Sequence, residues 1–138
     1  MIAYVDTSVL LRLVLREAGA LEDLKSYDGL VSSELIAVES ARTIDRLRLQ
    51  GTLTLEEAAV RSRAIGDWLE AFDLVLLRPP VLSRAREPLP TPLGTLDALH
   101  LATALLWRER MGPLTTIATH DSALGVAARS FGFDVRGV

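Results

Sequence analysis

Two short apolar runs rich in β-branched residues, "MIAYV" near the beginning and "LTTIAT" near the end, each lead into a helix-forming stretch through an aspartate: Asp6 in the first, Asp121 in the second. A strand that passes at once into a helix can rejoin its sheet only by a crossover, so its partner strands run parallel to it. Further strand-like runs stand at "LVSS", "FDLVLLRP" and "FDVRGV", alternating with helical periods. The pattern predicts an α/β fold, a three-layer α/β/α sandwich around a central parallel sheet of four to five short strands. At 138 residues the chain reads as a single domain spanning 1–138, large enough to bury about two thirds of its unfolded surface.

In order, the spacing gives a buried strand over 2–5 and a helix over 8–16, ended by Gly19, with a short second helix over 20–27. "LVSS" is a strand that runs into a cap at Ser32 or Ser33, from which a long helix continues to Gly51. Thr54 with Glu57 three residues on forms a capping box for the next helix. "FDLVLLRP" reads as a strand of the fully buried kind, stopped by Pro79-Pro80, and "VLSRARE" as a short helix before the stiff loop "PLPTPLG". "TLDALHLATAL", residues 95–105, is apolar nearly all the way round and so belongs in the core. Thr95 is its expected N-cap, which puts Asp97 in the first turn, where the helix dipole favours a carboxylate. A strand over 114–119, the helix of "HDSALGVAARSFG" and a last strand complete the chain.

Composition narrows the classes. Hydrophobic residues at 49% and charged residues at 24% describe a packed globular protein. The best uncharged apolar run, 98–107, is half of the roughly 20 residues a membrane span needs. Near the N-terminus Asp6, Arg12 and Arg16 interrupt what would otherwise resemble a secretory signal, so the sequence reads as mature and cytoplasmic, with no membrane role. Without cysteine there are no disulfides and no thiolate metal sites. A net charge of −3 argues against indiscriminate coating of nucleic acid, though not against a local basic groove. Lys25 is the one lysine among 15 basic residues; arginine suits bidentate contact with phosphate, and a codon bias would give the same count. Asparagine is absent and Gln50 is the only glutamine, a weak sign of heat adaptation.

Asp6 and Asp121 fall at the carboxyl ends of strands, the edge at which open parallel sheets bind ligands. Asp97 reaches the same edge from the start of its helix. Glu39 has two readings, an intrahelical pair with Arg42 or a carboxylate turned inward; Glu34 reads as a surface acid that complements the helix dipole. Taken singly, each acid is explained as a helix cap. Gathered together, four carboxylates repel, and burial aggravates the repulsion. Such a cluster is tolerable at neutral pH around hard divalent cations, Mg²⁺ or Mn²⁺, one or two ions. The hydroxyls of Ser8 and Thr119 are placed to orient the neighbouring carboxylates or a water. His100, one turn after Asp97, reads as a hydrogen-bonded core residue.

The segments "YVDTSVLLRL", "SSELIAVESAR", "TLDALHLATAL" and "ATHDSALGVAA" resemble, in order and spacing, the four acidic motifs of PIN-domain ribonucleases, above all the VapC-like toxins of toxin–antitoxin pairs. The resemblance runs from residue 2 to about 137. It implies a PIN-like sandwich and a metal-dependent endoribonuclease in which Asp6, Glu39, Asp97 and Asp121 are the catalytic, metal-holding acids. Thr119 matches the hydroxyl residue two before the last aspartate, and Arg42 falls where such proteins commonly carry arginine. It also implies an RNA substrate, a homodimer, and an antitoxin whose tail enters the acidic cleft from an apolar groove between the helices of 7–27 and 33–50. Arg42, Arg46, Arg84 and Arg86 are candidates for contact with RNA phosphates. A housekeeping RNA-processing nuclease and a non-catalytic interaction module are the alternatives. A phosphotransfer domain would want a second acid two residues after Asp6, where Ser8 stands.

Overall fold

The computed structural model describes residues 1–138. Five strands, β1 (Ile2–Val5), β2 (Gly29–Ser33), β3 (Phe72–Val75), β4 (Thr116–Ala118) and β5 (Asp134–Arg136), form one sheet in the order β3-β2-β1-β4-β5 with every pairing parallel. The helices are α1 (Thr7–Val14), α2 (Leu35–Leu49), α3 (Leu55–Leu69), α4 (Pro79–Ala85), α5 (Thr95–Arg110) and α6 (Ser122–Ser130). The α/β class and the parallel sheet are as the alternation requires.

Strand alternation sorts the two faces. Ala3, Val5 and Leu30 join Val9, Leu10, Ile36, Ile44 and Ile65 in one buried cluster. Tyr4, Val31 and Ile117 join Leu101, Ala104, Leu105 and Leu124 in the other. Period-two strands thus hold α1, α2 and α3 on one side and α5 and α6 on the other. The middle of α5, from His100 to Leu105, is buried without a break, which accounts for its apolar surround.

The chain leaves β1 toward β2 and β3 on one side, then returns to add β4 and β5 on the other. The order reverses between β1 and β4, and at such a switch point the helices diverge and leave a crevice at the strands' carboxyl ends. Val5 is in register with Ala118, so Asp6 and Thr119 emerge side by side at that crevice.

Several local expectations are corrected. The first helix is α1 over Thr7–Val14, and the short helix after Gly19 is a 3-10 turn over Glu22–Ser26. β3 is the edge strand, with Asp73 and Leu74 exposed, because a hydrophobic run does not encode its place in the sheet. Pro79 and Pro80 open α4 rather than merely stopping β3; proline has no N–H to lose in a first turn. Gly94, not Thr95, is the N-cap of α5, and no side chain caps it. Glu34 is no free surface acid: its Oε1 accepts the Leu77 N–H at 2.8 Å while its own N–H donates to the Val75 carbonyl at 2.9 Å, tying the start of α2 to the end of β3. The Thr54–Glu57 capping box is present.

The chain end closes over the crevice wall. Gly137 has φ +107°, and a Cβ there would lie 2.3 Å from the Thr119 carbonyl oxygen. Gly137→Ala is therefore expected to destabilise the fold by about 1–3 kcal/mol, read by urea unfolding; an unchanged midpoint would show that the segment yields without strain.

Candidate active site

The first and last acidic motifs are one hydrogen-bonded unit. Asp6, almost fully buried, accepts the Ser8 hydroxyl at 2.6 Å and the Thr119 hydroxyl at 2.9 Å, both on Oδ2. Those hydroxyls, having given their protons to Asp6, accept backbone N–H groups in turn: Ser8 that of His120 at 2.9 Å, Thr119 that of Asp121 at 3.0 Å. Asp121 is the N-cap of α6, its Oδ1 accepting the Leu124 N–H at 2.9 Å. Asp6 thereby fixes the strand-to-helix turn that carries Asp121. Thr119→Val keeps the shape, removes the donor to Asp6 and leaves the Asp121 N–H unpaired. It is expected to cost about 1–3 kcal/mol in a thermal melt; no loss would mean the hydroxyl chain carries no weight.

Glu39 turns inward, which decides between its two readings; Arg42 pairs with Asp45 instead, at 3.1 Å. Glu39 Oε1 accepts the Thr7 hydroxyl at 2.8 Å and lies 2.6 Å from His100 Nε2. His100 is buried, its Nδ1 2.6 Å from the Tyr4 hydroxyl and its Nε2 3.6 Å from Asp6 Oδ1. Burial pushes the Tyr4 phenol far above its ordinary range, helped by the Asp6 charge, so it stays a proton donor. Burial is the largest single influence and works against charge on both Glu39 and His100. Their mutual hydrogen bond and attraction, with Thr7 on Glu39 and the charges of Asp6 and Asp97 on His100, together outweigh it, holding the carboxyl below and the imidazole above their usual values.

Asp97, half-buried at the start of α5, has its carboxyl pushed up to about 6. Desolvation is the largest cause, followed by the charges of Asp121 and Asp6; His100 opposes these, and Glu39 adds to them. Asp6 and Glu39 both approach His100 Nε2, at 3.6 and 2.6 Å, and Asp6 joins Asp121 through Thr119, while Asp97 stands one turn before His100 in α5. No three of the acidic and imidazole groups stand in ready-made cation geometry. The donor set nevertheless fits a hard dication: it is all carboxylate and hydroxyl oxygen apart from one imidazole already engaged, and its repulsion is what such an ion would relieve.

A cavity of about 410 Å³ between α1 and α2 adjoins the crevice at Ser8 and Asp121. Leu11, Leu15 and Leu47 line it, but so do Arg12, Glu17 and Arg46, so the groove expected to be apolar is mixed. Of the four candidate arginines, Arg46 alone lines this cavity, and it has no ion-pair partner. Arg42 is held by Asp45, and Arg84 by Glu87 and, at 3.2 Å, Glu109. Arg86 borders a separate cavity of about 650 Å³ between α4 and the start of α5, which none of the four acids lines. Sequence reasoning passed over Tyr4, Thr7 and Arg12. Thr7 adjoins Asp6 and was findable; Tyr4 and Arg12 act through partners about a hundred residues away, which local spacing does not show.

An acid-lined crevice at the switch point of a small parallel sheet defines a compact nuclease-like α/β domain, and the chain belongs to the PIN-domain family, whose model matches residues 3–128. It is similar to two Mycobacterium tuberculosis proteins. One is Ribonuclease VapC46, 32% identical over 136 residues and covering 96% of this chain and 94% of the relative. The other is Ribonuclease VapC47, 30% identical over 138 residues, covering 94% and 92%. Among solved structures the fold is similar to that of PAE2754 from Pyrobaculum aerophilum, with a TM-score of 0.64 at 20% identity over 96% of this chain and 87% of that one. It is similar also to a toxin–antitoxin complex from Klebsiella pneumoniae, with a TM-score of 0.60 at 18% identity and 87% of each chain covered.

Proposed function

We propose that this protein is an endoribonuclease of the VapC kind, dependent on Mg²⁺ or Mn²⁺, and the toxin of a toxin–antitoxin pair. The observation that carries the reading is the meeting of the acids at the switch point, where Asp6 is joined through Thr119 to Asp121 and shares His100 with Glu39; the names of the two mycobacterial relatives support it. Asp6, Asp97 and Asp121 are the residues that would hold the cation, with Glu39 beside them. One or two bound ions would activate a water toward the phosphodiester and neutralise the developing charge. The chain's own part is orientation: Ser8 and Thr119 aim Asp6, the capped turn aims Asp121, and Thr7 and His100 hold Glu39. Arg46, beside the crevice and without an acidic partner, is the best placed of the four arginines to meet an RNA phosphate. Single-stranded or locally opened RNA suits an acidic cleft that cannot follow a duplex edge.

An antitoxin occupying the α1–α2 groove and a homodimer belong to the same reading. The exposed apolar side chains of Leu74, Leu76 and Met111 around edge strand β3 and the end of α5 offer a face for self-association. No helix is long and apolar enough to cross a membrane.

Incubation of the purified protein with single-stranded RNA and Mn²⁺ tests the assignment. Cleavage is expected with the metal, is expected to stop in excess EDTA, and is expected to be lost in a folded Asp6→Asn variant. Equal cleavage by parent and variant, or undiminished cleavage in EDTA, would overturn it.

A further inference from the structure

We infer that His100, braced by Tyr4, is a positioning residue that fixes Glu39 beside the three aspartates by holding one of its two carboxylate oxygens. This rests on the cation-dependent reading above.

The direction of each hydrogen bond follows from the partners. The Tyr4 hydroxyl oxygen accepts the Ser33 backbone N–H at 3.1 Å, and its single proton is directed at His100 Nδ1, 2.6 Å away. With Nδ1 engaged as acceptor, Nε2 carries the ring proton and donates it to Glu39 Oε1 at 2.6 Å. Thr7 donates to that same oxygen at 2.8 Å. One oxygen of Glu39 is thus doubly engaged by groups on α1 and α5, as Asp6 Oδ2 is by Ser8 and Thr119, while the second oxygen of Glu39 makes no side-chain hydrogen bond. Asp97, by contrast, makes no hydrogen bond to another side chain.

Packing alone does not explain the arrangement. His100 and Tyr4 are fully buried between β1 and α5, where Leu101, Ala104 and Leu105 already fill the interface. A phenol and an imidazole buried there carry a desolvation cost that a leucine would not. Their hydrogen bonds join β1, β2 and α5 in a strut that ends on a single carboxylate oxygen. The supporting partner of a ligand or of a reacting group is commonly held in just this way, and its loss typically lowers affinity or activity 10- to 100-fold.

The test compares Glu39→Gln, His100→Leu, their double variant, Tyr4→Phe and His100→Gln in the full chain. Mn²⁺ affinity is read by calorimetry and RNA cleavage by kcat. Asp97→Asn is expected to weaken the Mn²⁺ Kd about 10- to 100-fold. His100→Leu and Glu39→Gln are each expected to lower kcat about 10- to 100-fold, and the double variant no further than the worse of the two, since both break one contact. His100→Gln, whose amide keeps a donor toward Glu39, is expected to recover most of the loss. In the metal-free protein, the ¹H–¹⁵N spectrum should place the slowly exchanging ring proton of His100 on Nε2, with its signal shifted in Glu39→Gln and broadened in Tyr4→Phe. Where His100→Leu fails to fold, Tyr4→Phe replaces it in the cycle. Losses that multiply in the double variant, or a His100 ring proton found on Nδ1 in the metal-free protein, would overturn the inference while leaving the nuclease intact. A parent protein that neither binds Mn²⁺ nor needs it would overturn the underlying reading, and the inference with it.

Discussion

Asp97→Asn is expected to raise the melting temperature of the metal-free protein at pH 8 while removing nearly all RNA cleavage. The sign comes from the charges around it. Folding lifts the Asp97 carboxyl from the ordinary 3.8 to about 6, through burial first and then through Asp121 and Asp6. A group raised on folding adds stability below its unfolded value and loses it as the pH climbs through the folded one. Above about pH 6 the ionised Asp97 is therefore a burden on the empty fold. A shift of this size corresponds to about 3 kcal/mol for a fully buried group; half-exposure and solvent screening reduce it to about 1 kcal/mol. For a chain of this length that is about 3–5 °C. Most substitutions destabilise, so a gain in melting temperature paired with a loss of cleavage of about a hundredfold or more would be diagnostic. At pH 3, below both values, the thermal gain should vanish. A variant less stable than the parent at pH 8 would show that Asp97 is not strained by its neighbours.

The second large effect concerns the metal. A cation that uses Asp97 must compete with its proton, so affinity should fall as the pH drops through about 6. With one proton displaced, Mn²⁺ binding at pH 5 is expected to be about tenfold weaker than at pH 7, and flat from pH 7 to 8. Calorimetry in two buffers of different ionisation enthalpy would also detect the released proton near pH 6. An affinity unchanged between pH 5 and 8 would exclude Asp97 as a ligand.

Much of the candidate site was legible because the relevant signals are local. Asp6 and Asp121 each stand where a strand-like run turns into a helix, and a parallel sheet leaves little choice about which edge they share. Asp97 was legible from its place in an otherwise apolar helix. Glu39 was ambiguous, because helical period sets it alongside Leu35 and Arg42 alike; the deciding contacts come from Thr7 and His100 on other elements. His100 was read correctly as a hydrogen-bonded core residue, but its attachment to Glu39 depends on how α5 is rotated against β1. The edge position of β3 was not legible either: "FDLVLL" has the composition of a central strand, and only the strand order leaves it with one neighbour. Glu34 was misread for the same reason, since its partner Leu77 lies 43 residues on.

The bond from Thr119 to Asp6 joins residues 113 positions apart, near opposite ends of the chain. Contacts so distant form late, after the closure entropy of the intervening loop has been met. A polypeptide still being synthesised thus exposes Asp6, Glu39 and Asp97 in turn with nothing to complete them. Only when β4 lies beside β1 does the last carboxylate take its seat, so the crevice is whole only once both ends of the sequence have met.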